Sequence, residues 1–357
     1  MSKRVGSTAQ RLKELPYEKR VCRIEHYPTS LTIDKLSGKR DESRPYASME
    51  EEVDAIADAG TQVWSITCYA SRGIPMFPSK MLTPVDNLDM EAIPRFLDLA
   101  HERGIIVLTY YPFIFNHQLK DTHPEWAIKM LDDGGEEVWD EGWSCWNSPF
   151  RDWLPELLSE GFDQLDFDGV YFDDMNWGTH SDAGQRRVGG GHCDYCRQQL
   201  LEETGLELQQ KVDMDSVDFR RYVNWRYDKF VDAMAHFSKK LHERHPHHIV
   251  DWNYYCRPYG TPDTGWMTAH PLNPMDVGSF QFVEAGLDNL GSGIPTKICQ
   301  ALGQKTFGIW LWATQTLVEC ISHSAPYPEP HVALIYGLNA VAHGGGSVTT
   351  CLDAGDH

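Results

Sequence analysis

The stretch GVYFDDMNW, residues 169–177, decides the fold. Its β-branched and aromatic residues are typical of a buried strand, and the strand ends in two carboxylates. Because side chains alternate along a strand, Tyr171 and Asp173 share one face while Val170 and Phe172 share the other. Ligands bind at the C-terminal ends of the strands in parallel α/β folds. Asp173 is therefore the first candidate for a functional carboxylate, with capping of a following helix as the alternative.

Strand-like and helix-like segments alternate on both sides of this stretch. Strands are predicted at 21–27, 61–69, 105–111, 168–174, 248–254, 277–283, 306–313 and 345–350, and helices at 48–60, 89–103, 149–165, 196–205, 216–244, 287–302 and 330–342. Residues 117–147 are expected to be irregular. Eight strands separated by crossovers indicate an α/β protein with a (β/α)8 TIM barrel over residues 21–357, after a leader at 1–20.

The end of the barrel is a separate expectation. The sequence stops soon after the eighth predicted strand, so the eighth helix is expected to be lacking. We therefore expect a fragment, or a barrel whose open seam is covered by another chain. No G-x-G-x-x-G motif follows the first strand, which disfavours a dinucleotide-binding fold.

The charge balance excludes several classes of partner. The 357 residues include 32 Lys and Arg against 52 Asp and Glu, for a net charge of −20. Such a surface repels nucleic acid and anionic membranes. No apolar run is long enough for a membrane span, and the basic, polar N-terminus does not resemble a signal peptide. The nine cysteines are therefore expected to be reduced in a cytoplasmic protein.

Several motifs occur together and in order. They are GIPMFPS at 73–79, AHERGI at 100–105, HPEW at 123–126, CWNSPFRD at 145–152, DGVYFD at 168–173, CDYC at 193–196 and AHGG at 342–345. In this order they resemble a glycosyl hydrolase family related to α-L-fucosidases and often found ahead of a β-galactosidase-trimerisation-type domain. The resemblance covers roughly residues 60–350. It implies a (β/α)8 barrel that acts on a carbohydrate substrate. No cofactor is expected, and the missing helix together with the family's trimer association predicts a homo-oligomer.

The resemblance also implies a nucleophile. In α-L-fucosidases it is the Asp that follows the aromatic pair of the fourth strand, which here is Asp173. After its first strand this chain has Glu25-His26-Tyr27 where the fucosidases usually have a His-Trp pair. The resemblance therefore implies either an α-L-fucosidase-like or a β-galactosidase-like substrate class.

Glycoside hydrolysis needs a second carboxyl group across the scissile bond, held near ~5.5 Å in retaining enzymes. Glu284 follows the sixth predicted strand and is the candidate general acid/base, with a solvated loop Glu as the alternative. It shares the parity of Phe280 and Phe282, which are expected to face the helices. Glu284 would then point inward only if the strand ends by about Phe282. Glu25 and Asp251 are the reserve candidates.

The remaining candidates are polar or aromatic side chains near predicted strand ends. Flat aromatic faces suit sugar rings, whereas core packing is the ordinary alternative. A buried polar pair bonding to backbone is the equal alternative for the Asp and Asn of the fifth strand. The proposed substrate-binding residues are Glu25, His26, Tyr111, Asp174, Trp177, Asp251, Asn253 and Trp312.

A Cys-x-x-Cys motif has the spacing of half a zinc site, in His192-Cys193-Asp194-Tyr195-Cys196. A tetrahedral site needs four ligands, and Cys145, His180, Asp182 or Cys256 could complete it. Free thiols that help to pack a loop are the expected state, with a structural metal or a disulfide as alternatives. No catalytic metal is expected.

Three functions remain open at this point. A retaining, two-carboxylate glycoside hydrolase is favoured. A carbohydrate-binding barrel without catalysis would instead have a lone carboxylate at its mouth. A metal-dependent hydrolase is the third, and it ranks last because the first strand offers no His-x-His pair.

Overall fold

The computed structural model describes residues 7–14, 21–25, 48–70, 73–86, 89–112, 116–131, 137–173, 189–209, 213, 215–254, 280–284, 297, 307–312, 342 and 347–351. The predicted helix at 287–302 lies outside these ranges except for residue 297, and the one at 330–342 except for residue 342. The expected absence of an eighth helix concerns residues after 351, which also lie outside them.

All eight predicted strands are present. Counted along the chain they are Val21–Glu25, Val63–Thr67, Ile106–Pro112, Gly169–Asp173, Ile249–Tyr254, Phe280–Glu284, Phe307–Trp312 and Ser347–Cys351. Each pairs in parallel with the next, and the first also pairs with the eighth, so the pairings form a closed ring. The predicted α/β class with a parallel sheet is confirmed.

The first described helix precedes these strands, and the other helices lie between them along the chain. They are α1 (Thr8–Glu14), α2 (Met49–Asp58), α3 (Ala92–Glu102), α4 (Leu119–Thr122), α5 (Phe150–Gln164), α6 (Asp194–Thr204) and α7 (Val217–Arg244). The Ser48 side chain accepts a hydrogen bond from the Glu51 backbone N–H at the start of α2, as the capping pattern predicts. Gly60, with φ of 85°, follows the end of that helix. No helix among the described residues is long and apolar enough to cross a membrane.

Two apolar clusters separate the inside of the strand ring from its outside. The inner cluster consists of Val63, Ile106, Leu108, Tyr171 and Ile249, with Tyr110 packed against it. The alternate residues of the same strands pack with the helices in the larger outer cluster. The face assignment predicted for the fourth strand is therefore confirmed, because Tyr171 lies inside whereas Val170 and Phe172 lie outside.

Gly169 is required where the fourth strand begins. A Cβ atom at this position would lie 2.1 Å from the carbonyl oxygen of Ile249 in the fifth strand. Without a side chain, the two strands approach closely enough for the Ile249 N–H to donate to the Asp168 carbonyl at 2.9 Å.

A buried ionic network ties α1 to the N-terminal side of the fourth strand. Asp168 is fully buried and accepts hydrogen bonds from Arg11 Nε at 2.8 Å, from the Val107 N–H at 3.0 Å and from His101 Nε2 at 3.1 Å. Burial opposes the charged form of Asp168, but His101 and Arg11 outweigh it and lower the pKa of this carboxyl. The structure thus gives the predicted leader at 1–20 a structural role.

The segment expected to be irregular contains an antiparallel hairpin. Ala127–Leu131 pairs with Glu137–Ser144, and Gly189–Gly190 adds a third strand to Ala127–Leu131. The short Pro124–Trp126 helix precedes it, with the His123 ring stacked on Trp126 at 3.8 Å between centroids. A small sheet therefore joins the segment after the third strand to the segment after the fourth.

Candidate active site

Asp173 is the last residue of the fourth strand, and its side chain is half-buried on the inner face. The Tyr110 hydroxyl donates a hydrogen bond to Asp173 Oδ2 at 3.0 Å. Tyr110 comes from the neighbouring third strand, and its ring lies 5.8 Å from that of Tyr171, which is buried beneath. The hydrogen bond orients the carboxyl group.

Tyr111 does not lie in this site, which corrects the expectation that it binds substrate. It is completely buried in the outer cluster, where its ring contacts Tyr69 edge-on at 4.9 Å and its hydroxyl accepts a hydrogen bond from Asn116 Nδ2 at 3.3 Å. The third strand is apolar on both faces, so its sequence gives no clue to which of two adjacent tyrosines faces inward. Tyr110 is the functional candidate that the sequence analysis missed.

The strand register also corrects the expected face of the sixth strand. Paired residues of parallel neighbours share a face, and Phe280 pairs with Asp251, which pairs in turn with the inward-facing Tyr171. The strand runs to Glu284. Positions 280, 282 and 284 therefore belong to the inner set rather than the helix-facing set.

Asp251 lies deeper than a residue at a strand end. Its Cα pairs with Tyr171, two residues before Asp173, and its side chain is completely buried. The fifth strand continues for three more residues, to Tyr254. This placement supports the alternative of a buried polar residue over a sugar-hydroxyl ligand.

Three other candidates have a described backbone position. Glu25 pairs with Ser65 and Cys351, Trp312 also pairs with Cys351, and Asn253 pairs with Phe282. Following these pairs around the ring shows that all three positions belong to the inner set. His26, Asp174 and Trp177 lie outside the described residues.

The two cysteines of the Cys-x-x-Cys motif lie close to a third cysteine, Cys145, and not to the preceding His192. The Sγ atoms of Cys145, Cys193 and Cys196 all lie within 4.8 Å of one another. His192 is buried but directs Nε2 to the Gln209 carbonyl at 3.1 Å. His192 is therefore not part of this group, whereas Cys145, one of the residues predicted to complete the motif, is part of it.

Comparison with known proteins supports the family resemblance predicted from the motifs. Residues 48–174 match the family described as "Hypothetical glycosyl hydrolase 6", a match that ends directly after Asp173. No curated protein matches the chain. Over residues 48–174 the chain is thus similar to a glycosyl hydrolase family, in line with the predicted resemblance.

Solved structures share the fold at low sequence identity. α-L-Fucosidase isoenzyme 2 from Paenibacillus thiaminolyticus is 18% identical with a TM-score of 0.60, over 93% of this chain and 46% of that one. The β-galactosidase of the Antarctic haloarchaeon Halorubrum lacusprofundi is 15% identical with a TM-score of 0.63, over 92% and 52%. The β-amylase catalytic domain of Paenibacillus polymyxa is 8% identical with a TM-score of 0.60, over 93% and 92%. The chain thus spans about half the length of the first two proteins.

Proposed function

We propose that this chain is the (β/α)8 catalytic barrel of a retaining glycoside hydrolase, with Asp173 as nucleophile and Glu284 as general acid/base. The observation that carries the proposal is the inward-facing Asp173 at a strand's C-terminal end, hydrogen-bonded by Tyr110 at 3.0 Å. Active sites of such barrels lie at this end of the strands. The family match ending at this strand supports the same position.

The height of Glu284 in the barrel supports its pairing with Asp173. The strand pairings lead from Asp173 through the fifth strand to Phe282 in the sixth. The strands of a barrel of shear eight tilt relative to its axis. On each next strand, the residue at the same height along the axis is therefore ~1 position beyond the paired residue. Alternate strands supply the side chains of each interior layer. Crossing two strands from Asp173 therefore leads to Glu284. The same count places Glu25 one interior layer below Asp173. This difference in height favours Glu284 over Glu25 as the partner of Asp173.

The expected separation suits a retaining mechanism. Neighbouring strands lie ~4.8 Å apart, so Cα atoms two strands apart are about 9–10 Å apart, and two inward carboxyl groups can approach to ~5.5 Å. The Asp173 carboxylate attacks the anomeric carbon while Glu284 protonates the departing oxygen. Glu284 then deprotonates a water molecule that attacks the same carbon, which breaks the ester to Asp173 and restores both carboxyl groups.

Aryl glycosides test this assignment. A panel of α-L-fucoside, β-galactoside and α- and β-glucosides should include one that wild type hydrolyses, and Asp173→Gly should lose that turnover. With azide added, Asp173→Gly should form a glycosyl azide of inverted configuration, because azide replaces the missing nucleophile. Glu284→Ala should retain activity best on substrates with acidic leaving groups and form an azide of retained configuration.

The outcomes separate this function from carbohydrate binding without catalysis. If wild type binds sugars in calorimetry but hydrolyses none of the panel, the binding barrel replaces the hydrolase. Undiminished turnover in Asp173→Gly would remove the nucleophile assignment. Inverted product from wild type, followed by NMR, would contradict retention. The panel also decides between the fucosidase-like and galactosidase-like substrate classes, and size-exclusion chromatography with light scattering tests the proposed homo-oligomer.

A further inference from the structure

A cluster of three buried thiols lies outside the proposed catalytic centre, and we call it the cysteine cluster (Cys145, Cys193 and Cys196). Cys196 Sγ lies 3.4 Å from Cys145 Sγ and 3.5 Å from Cys193 Sγ. These separations exceed the ~2.05 Å of a disulfide bond. Zn–S bonds of ~2.3 Å in a tetrahedron place neighbouring sulfurs ~3.8 Å apart, so the cluster has nearly the spacing of three corners of a zinc site.

Polar groups lie beside the buried thiols of the cluster. Asn147 Nδ2 lies 3.3 Å from the sulfur of Cys196. Cys193 is also the N-cap of α6, where the helix dipole stabilises negative charge. The Asn147 amide beside Cys196 and the helix N-terminus at Cys193 can both offset the charge of metal-bound thiolates.

We propose that the cysteine cluster binds a structural zinc ion through Cys145, Cys193 and Cys196, with one further donor at the fourth tetrahedral position. Soft thiolate ligands select zinc over magnesium or calcium. The three thiols bind as thiolates and release their protons to solvent, with no change of oxidation state. The site is separate from glycoside hydrolysis and does not depend on the proposed function.

The ion would join segments from two different crossings of the barrel. Cys145 directly follows the hairpin strand Glu137–Ser144, after the third barrel strand, whereas Cys193 and Cys196 open α6, after the fourth. Nearby, the Trp146 ring packs against Phe230 of α7 at 5.3 Å between centroids. The zinc would therefore hold the hairpin, α6 and α7 together on the side of the fold that carries Asp173.

Metal analysis of the full chain, purified without metal-affinity resin, tests the proposal. We expect about one zinc per chain by inductively coupled plasma mass spectrometry. Exchange for Co²⁺ should produce an intense sulfur-to-cobalt charge-transfer band in the near ultraviolet. Zinc removal by a chelator should lower the melting temperature, and restored zinc should reverse the change.

Single substitutions locate the ion. Cys145→Ser, Cys193→Ser and Cys196→Ser should each lose most of the zinc, whereas Cys68→Ser should retain it. Cys68 is the matched control because it is equally buried but bonds to Thr109 Oγ1 at 3.1 Å instead of to another thiol. If a cluster variant does not fold, the wild-type cobalt spectrum still decides. Wild type without zinc and without the thiolate–cobalt band, iron in place of zinc, or a disulfide among these cysteines in the mass spectrum of unreduced protein would overturn the proposal.

Discussion

The hydrogen bond from Tyr110 to Asp173 makes the sharpest prediction. Tyr110→Phe removes the hydroxyl and leaves the ring to pack against Tyr171, 5.8 Å away between centroids. A hydrogen bond to a charged group contributes about 1.5–3 kcal/mol, and each ~1.4 kcal/mol is tenfold in rate. Because Asp173 is only half-buried, water can replace part of the lost bond, so we expect kcat/KM to fall by about tenfold to 30-fold.

Tyr111→Phe is the matched control, because it removes a hydroxyl one residue away on the opposite face of the strand. That hydroxyl accepts a hydrogen bond from Asn116 Nδ2 at 3.3 Å and is fully buried in the outer cluster. We expect a lower melting temperature but kcat/KM within about twofold of wild type, since only buried packing is affected. The assay is initial-rate hydrolysis of the best aryl glycoside, alongside thermal unfolding of all three proteins. Unchanged kcat/KM in Tyr110→Phe together with a large loss in Tyr111→Phe would refute the face assignment.

Four further predictions concern stability. Asp168→Ala should lower the free energy of unfolding in urea by about 3–5 kcal/mol, because it leaves Arg11 buried without its closest carboxylate; a loss under 1 kcal/mol would contradict this. Folding lowers the pKa of Asp168, so its carboxylate stabilises the fold at pH values above its ordinary pKa of ~3.9. This stabilisation is lost as the pH falls below that value. The free energy of unfolding of Asp168→Asn should therefore depend less on pH in this acid range than that of wild type. Gly169→Ala should prevent the close approach to Ile249 and lower the free energy of unfolding by more than about 3 kcal/mol. Gly104→Ala, whose Cβ would meet no atom within 4 Å, should lower it by about 1 kcal/mol. Equal losses for the two variants in chemical denaturation would contradict the steric clash at Gly169. Burial, assisted by His245, lowers the pKa of His248 to about 4. The free energy of unfolding of wild type should therefore decrease as the pH falls from ~6.5 towards that value. Unfolding at about pH 7 and 5 should show a smaller decrease for His248→Gln.

The strands could be predicted from sequence because each is a short apolar run between turn residues. The fourth strand was predicted at 168–174 and lies at Gly169–Asp173. Alternation also placed Asp173 on the inner face, since Val170 and Phe172 make the opposite face wholly apolar. The hairpin at Ala127–Leu131 and Glu137–Ser144 was missed because its pairing depends on residues brought together by the turn between them.

The candidate site was harder to predict, because register decides it. The parity of Phe280, Phe282 and Glu284 was assigned correctly, but the face was wrong, since both faces of a strand in a barrel are covered by apolar residues. Only pairing with Asp251 identifies the inner face. Likewise the two adjacent tyrosines of the third strand differ by their neighbours in space and not by any local pattern. Cys145 and Cys196 are 51 residues apart in the sequence, so only the folded chain shows that Cys145 lies beside the Cys193-x-x-Cys196 motif.

The contact between Arg11 and Asp168 has a consequence for synthesis of the chain. The two residues are 157 positions apart, and Asp168 is among the most deeply buried charges described. At ~5–20 residues per second, Arg11 is synthesised roughly 8–30 s before its partner. During that interval α1 has no carboxylate at position 168 to bind. The N-terminal helix is thus synthesised first but can dock only after the fourth strand has emerged.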